Sequence, residues 1–326
     1  MTALTFTPEE WLLAEPFHFA GFTVTALEVI HVRLSKDGHH GQGEGVVPIV
    51  FDVTMDHAKA QLLAANTAIL AGQSPEAACA ALPPGPARNA FDCALWDLRA
   101  KMTGRTIWDL AALPPGPPLL KVDQSIGLGA PDAMADAARA SAHQVLKIKA
   151  DAELISERLR AIRLARPDAE LIVDANQSWT LDLLAHHAQA MADLGVAMIE
   201  QPLRVGQDES LRGFASPVPL YADESCHTSA DLPRLQGLYQ GVNIKLDKSG
   251  GLTEALALAR AARAAGMGVM VGCMAGTSLS MAPAFVIGTL TNWSDLDGPL
   301  LLASDRPAAM TYADGALSQF TSALWG

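Results

Sequence analysis

Four charged residues close apolar stretches of the chain at nearly regular intervals. They are Asp174, Glu200, Asp223 and Lys245, which lie 26, 23 and 22 residues apart. Each is the fourth residue of its motif, and the motifs are LIVDAN, AMIEQP, LYADES and VNIKLD. A strand, a helix and their loops occupy about that length in an eight-stranded α/β barrel, where strand ends meet at one face and carry the chemistry. A single acidic residue at such a place often only caps a helix, but three in phase favour a shared site.

The three carboxylates predict a metal centre. Oxygen ligands without a nearby histidine or cysteine select a hard cation. A site with few carboxylates leaves room for water and substrate oxygens, which suits Mg²⁺ better than Ca²⁺. We therefore expect one Mg²⁺ per subunit, with Mn²⁺ as its usual substitute.

Three lysines are the candidate acid/base groups. Lys147 and Lys149 alternate along VLKIKA, so they point to the same side of a strand, and Lys245 lies roughly opposite in a closed barrel. Because lysine is seldom fully buried, one interpretation is that these side chains pair with the carboxylates. The other is that nearby cations disfavour the ammonium form and produce a base. Two opposed lysines could then remove a proton from either face of one substrate carbon.

This combination points to proton transfer at a carbon next to a carboxylate. The enediolate that results from losing such a proton is a dianion and is very unstable in water. A Mg²⁺ ion on the substrate carboxylate and a neighbouring ammonium group would stabilise the charge as it develops.

Eight apolar segments beyond PPGPP (114–118) supply the strands that would position these residues. Ala/Leu-rich helical patterns separate most of them, which predicts a parallel sheet with right-handed crossovers that closes into a (β/α)8-type barrel. The segments are 119–127, 145–150, 170–176, 196–202, 218–225, 241–247, 268–274 and a less regular one before Asp295.

The first hundred residues predict a separate α+β domain. FTVTALEVIHVRLS (22–35) and GEGVVPIVF (43–51) form an antiparallel pair around a turn at residues 36–38, and helices follow over 56–72 and 87–104. We expect a capping domain at 1–115, a barrel at 116–305 and a C-terminal segment, 306–326, that returns to the capping domain.

Composition excludes several classes of partner. The net charge of −12 argues against nucleic acid and anionic membranes. Residues 264–294 lack Asp, Glu, Lys, Arg and His, but the glycines and Pro283 within them favour a buried strand and helix over a membrane span. The four cysteines show no CxxC pairing and the first residues show no signal-peptide pattern, so we expect a cytoplasmic protein.

Five motifs together resemble the muconate-lactonizing subgroup of the enolase superfamily: VLKIKA, VDANQSW, IEQPL, ADES and NIKLDKSGG. ALWDLRAKMTG (94–104) is similar to the helix that precedes the barrel in that subgroup. Lysine bases acting with Mg²⁺ are a general feature of enolase-superfamily sites. The resemblance implies a modified TIM barrel in which Asp174, Glu200 and Asp223 bind Mg²⁺. It also implies Lys149 and Lys245 as acid/base catalysts, Lys147 as a neutralising group for the substrate carboxylate, and Asn176 as a support of the metal ligands.

One motif indicates a reaction within the subgroup, whose members catalyse cycloisomerisation, o-succinylbenzoate formation, N-acyl amino acid racemisation or dipeptide epimerisation. DLDGPLLL (295–302) resembles the motif with which dipeptide epimerases hold the substrate ammonium. Asp295 and Asp297 would alternate on one strand and face the same way, although Asp-Gly also marks turns. We therefore expect a dipeptide epimerase. The alternatives are an N-acyl amino acid racemase such as one for N-acylglutamate, an o-succinylbenzoate synthase or cycloisomerase, and a catalytically silent barrel.

The first domain leaves the preferred side chain of the substrate open. L-Ala-D/L-Glu epimerases carry an arginine in the loop that corresponds to PFHFAGFTVT (16–25), and this loop has none. His18, Phe22 and Thr23 are available there instead. We name Phe22, Ser125 and Met274 as further candidates for contact with a small-molecule substrate, and we expect a homo-oligomer.

Overall fold

The computed structural model of the chain describes residues 2–19, 22–47 and 53–326. The strands are β1 Ala3–Phe19, β2 Phe22–Lys36, β3 His39–Val47, β4 Leu119–Lys121, β5 Gln124–Ile126, β6 Val145–Lys149, β7 Glu170–Asp174, β8 Val196–Glu200, β9 Leu220–Ala222, β10 Gly241–Lys245, β11 Gly268–Gly272, β12 Trp293–Ser294, β13 Tyr312–Ala313 and β14 Ala316–Ser318. The α-helices are α1 Met55–Leu70, α2 Pro75–Ala80, α3 Pro86–Thr103, α4 Ile107–Ala111, α5 Pro131–Ala140, α6 Ile155–Ala165, α7 Leu181–Asp193, α8 Leu232–Leu235, α9 Leu246–Ser249, α10 Leu252–Ala264 and α11 Ser278–Gly288.

The N-terminal part is an antiparallel three-stranded sheet packed on helices, as its pattern predicts. β2 turns through Asp37 and Gly38 into β3, and α1 and α3 occupy the two predicted helical segments. Residues 48–51 of the predicted second strand lie outside the described residues. The sequence did not predict β1, which pairs with β2 at the sheet edge. Its polar residues and Pro8 obscure the strand pattern, and an edge strand tolerates both.

The eight-stranded parallel sheet runs in chain order from β5 to β12. Each of the eight predicted apolar segments contributes one strand, so the prediction of a barrel-type α/β fold is confirmed. Side chains from β6, β7, β8, β9 and β11 pack together on the inner face of the sheet. The backbone N–H of Asp123, just before β5, donates to Ser294 O of β12 (3.0 Å), so the first and last strands of the sheet meet. The inner cluster consists of Val145, Ile172, Met198, Tyr221 and Met270.

The long uncharged stretch forms a strand and a helix of the barrel. Every residue of α11 is buried, Pro283 included, and β11 lies next to it in the core. Among the described residues, no helix combines the length and apolarity needed to cross a bilayer.

Buried polar contacts hold the first sheet over the barrel. The Arg306 guanidinium contacts Glu44 of β3 and Glu9 of β1, at 2.6 Å each. Asp247, just after β10, accepts hydrogen bonds from the backbone of Val46 (2.9 Å) and from Asn89 of α3 (2.7 Å). These contacts fix the position of β1 and β2 above the ends of the barrel strands.

The C-terminal residues make two kinds of contact. β13 and β14 form a hairpin, and β14 pairs with β4, the short strand that precedes the first barrel strand β5. Farther on, the Trp325 indole donates to Cys93 O (3.0 Å) and the Gly326 backbone N–H donates to Asp97 (2.7 Å), both on α3 of the first domain. The division of the chain at residues 115 and 305 stays a prediction.

Candidate active site

Strand register brings the predicted charged residues to one level. Lys149, Asp174 and Glu200 are the last residues of β6, β7 and β8, and each is paired in register with the next. Asp223 directly follows β9, and Lys245 ends β10. Because these parallel strands end together, their terminal side chains share the mouth of the barrel.

Lys147 lies at the centre of this group and is fully buried. Its Nζ is 2.6 Å from Asp295 Oδ2, 2.8 Å from Glu200 Oε2 and 3.1 Å from Asp174 Oδ2. Burial disfavours the ammonium form, but attraction to these carboxylates is stronger and raises the pKa of Lys147 well above its ordinary value. Lys147 is therefore a fixed positive charge inside the barrel.

Lys149 and Lys245 each contact one carboxylate on their own side of the barrel. Lys149 Nζ is 2.7 Å from Asp174 Oδ2, and Lys245 Nζ is 2.6 Å from Asp223 Oδ2. Burial disfavours the ammonium form of Lys245, but attraction to Asp223 is stronger. The pKa of Lys245 therefore lies above its ordinary value. A Cβ at Gly272 would lie 3.0 Å from Lys245 Cε, so glycine leaves room for this side chain.

The buried acids have different environments. Burial raises the pKa of Glu200 to about 7, and repulsion by Asp174 adds to that shift. Burial acts on Asp174 in the same direction, but Lys149 and Lys147 hold its pKa below the ordinary range. Asp223 is likewise held low, against burial, by Lys245 and Lys248.

The donor set fits a hard divalent cation. Asp174, Glu200 and Asp223 are completely buried and supply only oxygen atoms. Glu200 Oε2 receives no hydrogen bond, although Lys147 Nζ lies 2.8 Å away outside hydrogen-bond geometry. A buried carboxylate oxygen without a hydrogen-bond donor needs a cation beside it to offset the cost of its burial. The predicted residues therefore suit Mg²⁺, although their roles as ligands stay a prediction.

Ammonium groups lie against Asp174, Glu200 and Asp223, and one oxygen from each of the three does not come within 4.8 Å of the other two. In the described part of the chain, the trio that meets this spacing is Cys273, Asp295 and Asp297. Burial raises the pKa of the Cys273 thiol well above its ordinary value. Since metals bind the thiolate, this trio is a poor metal site.

The predicted Asp295–Asp297 pair is brought together, but not on a strand. β12 ends at Ser294, and both residues lie in the loop before the 3₁₀ turn Gly298–Leu301. The partner strand β11 ends at Gly272 and pairs with β12 only as far as Ser294, so the prediction that the acids alternate along a strand is wrong. Asp295 pairs with Lys147, whereas Asp297 accepts a hydrogen bond from the Ser125 backbone N–H (2.7 Å).

A cavity of about 390 Å³ lies between the barrel mouth and the first sheet. Asp174 and Glu200 lie beneath its surface. Asn176 contacts Asp174 Oδ1 through its backbone N–H (2.9 Å), and its side chain reaches the cavity. Ten predicted site residues line this cavity: Phe22, Ser125, Lys147, Lys149, Asn176, Asp223, Lys245, Met274, Asp295 and Asp297.

Sequence reasoning missed several buried polar residues around the site. Both carboxylate oxygens of Asp123 are buried without a hydrogen-bond donor, and burial followed by repulsion from Asp295 raises its pKa well above the ordinary value. Asp123 and Ser125 alternate in the first barrel segment, so the spacing rule that singled out Lys147 and Lys149 could have found Asp123. Lys248 belongs to the NIKLDKSGG motif but was not assigned to the site, although its Nζ lies 2.6 Å from Asp223 Oδ1.

The chain belongs to the enolase superfamily, within the mandelate racemase and muconate lactonizing enzyme group. Residues 1–111 match the family "Mandelate racemase / muconate lactonizing enzyme, N-terminal domain", and residues 131–318 match "Enolase C-terminal domain-like". Together they cover most of the chain.

Similar proteins include several isomerases. The chain is 43% identical to the L-Ala-D/L-Glu epimerase of Escherichia coli K12, over 95% of this chain and 97% of that protein. It is 47% identical to an N-acetyl-D-glutamate racemase of a Pseudoalteromonas species, over 75% of this chain and 78% of that protein.

Two solved structures have the same fold. An enolase family member from Agrobacterium tumefaciens, with bound sodium and L-Ala-L-Glu, is 39% identical with a TM-score of 0.94, and each chain is covered completely. The Enterococcus faecalis dipeptide epimerase complexed with Mg and L-Leu-L-Tyr is 27% identical with a TM-score of 0.90, over 97% of this chain and 96% of that one.

Proposed function

We propose that this protein is a Mg²⁺-dependent dipeptide epimerase that inverts the α-carbon of the C-terminal residue. The observation that carries the proposal is the placement of Lys149 and Lys245 on opposite sides of one cavity, with buried carboxylates between them. A substrate α-carbon between the two amines would present one face to each lysine.

Inversion requires one lysine as a neutral amine and the other as an ammonium group. The first removes the α-proton and becomes ammonium, and the second delivers its own proton to the opposite face and becomes neutral. Lys147 stabilises the negative charge on the substrate carboxylate while the enediolate exists. When bound to Asp174, Glu200 and Asp223, Mg²⁺ would supply electrostatic stabilisation of that carboxylate and offset the attraction that holds the lysines protonated.

The acidic end of the cavity favours a dipeptide over an N-acyl amino acid. Asp295 and Asp297 lie close together beside Asp123, and among the described residues the cation paired with this group is Lys147, through Asp295. A substrate ammonium would complete its charge balance, which a neutral acyl group could not do. The racemase alternative stays open because of the identity to the Pseudoalteromonas enzyme.

Solvent-deuterium incorporation tests the proposal. We expect Mg²⁺-dependent exchange at the α-carbon of Ala-Xaa dipeptides and little exchange with N-acetyl amino acids. Asp297→Asn should lower kcat/KM for dipeptides at least tenfold, mainly through KM, whereas Asp314→Asn in the exposed β13–β14 turn should not. Exchange confined to N-acetyl amino acids and unaffected by Asp297→Asn would favour the racemase.

We also propose a cytoplasmic location and a homo-oligomeric state. The first is supported by four cysteines that are all free thiols, three of them buried. The second stays an expectation to be measured by light scattering.

A further inference from the structure

We propose that the residue epimerised by this protein carries an apolar side chain, aromatic or branched aliphatic, and not an acidic one. This inference rests on the proposed dipeptide epimerase function and specifies its substrate. It differs from the glutamate substrate in the name of the Escherichia coli relative.

The first domain covers the cavity with apolar side chains from the β1–β2 hairpin. Phe17 faces Val24, and Phe19 faces Phe22, as directly opposed cross-strand pairs. All four line the cavity, and the Phe19 and Phe22 rings are stacked with centroids 5.7 Å apart. This apolar wall is a consequence of two-residue periodicity on both strands.

The intervening polar pair points away from the cavity. His18 and Thr23 are opposed between the two apolar pairs, and their side chains hydrogen-bond to each other (2.9 Å). Neither lines the cavity. The hairpin therefore presents its apolar face to the substrate.

The apolar wall lies beside a proposed proton-transfer group. Lys149 Nζ is 5.7 Å from the centroid of the Phe19 ring. A substituent on an α-carbon within reach of Lys149 can therefore contact Phe19 and its neighbours. Phe22 is 43% exposed, so covering it with an apolar substituent would remove hydrocarbon surface from water.

A carboxylate on that substituent would have no cationic partner. The basic side chains on the described cavity wall are Lys147, Lys149 and Lys245, and each already lies within 2.7 Å of a protein carboxylate. Residues 1, 20–21 and 48–52, outside the described part, include no Lys, Arg or His. Glu28 and Glu224 also line the cavity and would repel an anion. An acidic side chain would therefore lose its hydration without gaining a salt bridge.

A matched substrate series separates charge from size. We would measure α-deuterium incorporation in D₂O with Mg²⁺ for L-Ala-L-Phe, L-Ala-L-Leu, L-Ala-L-Gln and L-Ala-L-Glu. The kcat/KM values for the Phe and Leu dipeptides should exceed that for Glu at least tenfold, with neutral Gln between them. Equal or faster exchange with Glu would overturn the apolar assignment and leave the epimerase function intact. Absence of exchange with every dipeptide would overturn both.

A variant pair tests the location of specificity. Phe22→Arg places a cation on the cavity wall at a half-exposed position, and Thr23→Arg places the same charge on the opposite face of the strand. Phe22→Arg should raise the Glu-to-Phe ratio of kcat/KM at least tenfold, mostly through KM, while Thr23→Arg changes it less than twofold. Equal ratios in both variants would contradict a role for this wall, and circular dichroism would establish that both are folded.

Discussion

Lys149 and Lys245 end strands β6 and β10, which lie four places apart in the eight-stranded sheet. In a sheet curled into a barrel, four places correspond to opposite sides of the mouth. Three carboxylate-bearing strand ends occupy the positions between them. The two proposed acid/base groups therefore lie on opposite sides of the barrel mouth.

Glu200→Gln should weaken Mg²⁺ binding at least tenfold. The substitution keeps the size of a fully buried side chain and removes its charge and one anionic donor oxygen. Isothermal titration calorimetry with MgCl₂ would measure the affinity, with Glu157→Gln on the exposed face of α6 as a control. Mg²⁺ should also raise the Tm of the unsubstituted protein more than that of the variant, because a ligand of the native state stabilises it. An unchanged affinity would contradict the ligand assignment.

Arg306→Met should destabilise the protein by about 3 kcal/mol, the usual order for a buried ion pair that loses one partner. The Glu44 carboxylate would keep its hydrogen bonds from Thr277 but lose its cation, and Glu9 would lose the same partner. Urea unfolding would measure the change, with Arg99→Met on an exposed position of α3 as a control. A loss no larger than that of the control would show that Arg306 does not hold the two domains together.

Asp92→Asn should change how stability depends on pH. Burial raises the pKa of Asp92 from 3.8 to about 6, although Thr253 of α10 donates two hydrogen bonds to it. Between these values the native state keeps a proton that the unfolded state releases, so stability falls as pH rises. Two pKa units correspond to about 3 kcal/mol.

The asparagine variant lacks this titration. Its stability relative to the unsubstituted protein should therefore increase by about 2 kcal/mol as pH rises from about 4 to about 7. Urea unfolding across this range measures the difference, and Asp37→Asn in the exposed β2–β3 turn is the control. Parallel profiles for Asp92→Asn and the unsubstituted protein would contradict the raised pKa.

The barrel was predictable from sequence because its strands are buried on both faces. They read as short apolar runs, such as LIVD and VNIK, and each run closes with one charged residue at the mouth of the barrel. β1 was not predictable in this way, since an edge strand with one buried face carries polar residues and prolines such as Pro8. The Asp295–Asp297 pair was found, but two residues are too few to distinguish a strand from the loop after it.

Long-range polar contacts lay beyond sequence reasoning. Arg306 and Glu44 are separated by 262 residues, and Asp247 and Val46 by 201. No local pattern indicates such partners, because the fold determines which loops meet. Asp123 was overlooked for another reason, since it lies in the middle of its apolar segment (119–127) and does not close it.

The most direct test of the two-sided mechanism uses single-lysine variants and each epimer of one dipeptide in D₂O. Lys149→Ala and Lys245→Ala should both abolish inversion, yet each should still exchange the α-proton of one epimer, and the two variants should act on opposite epimers. Chiral chromatography with mass spectrometry reads both quantities. Retained inversion in either variant, or exchange of the same epimer by both, would contradict proton transfer from opposite faces.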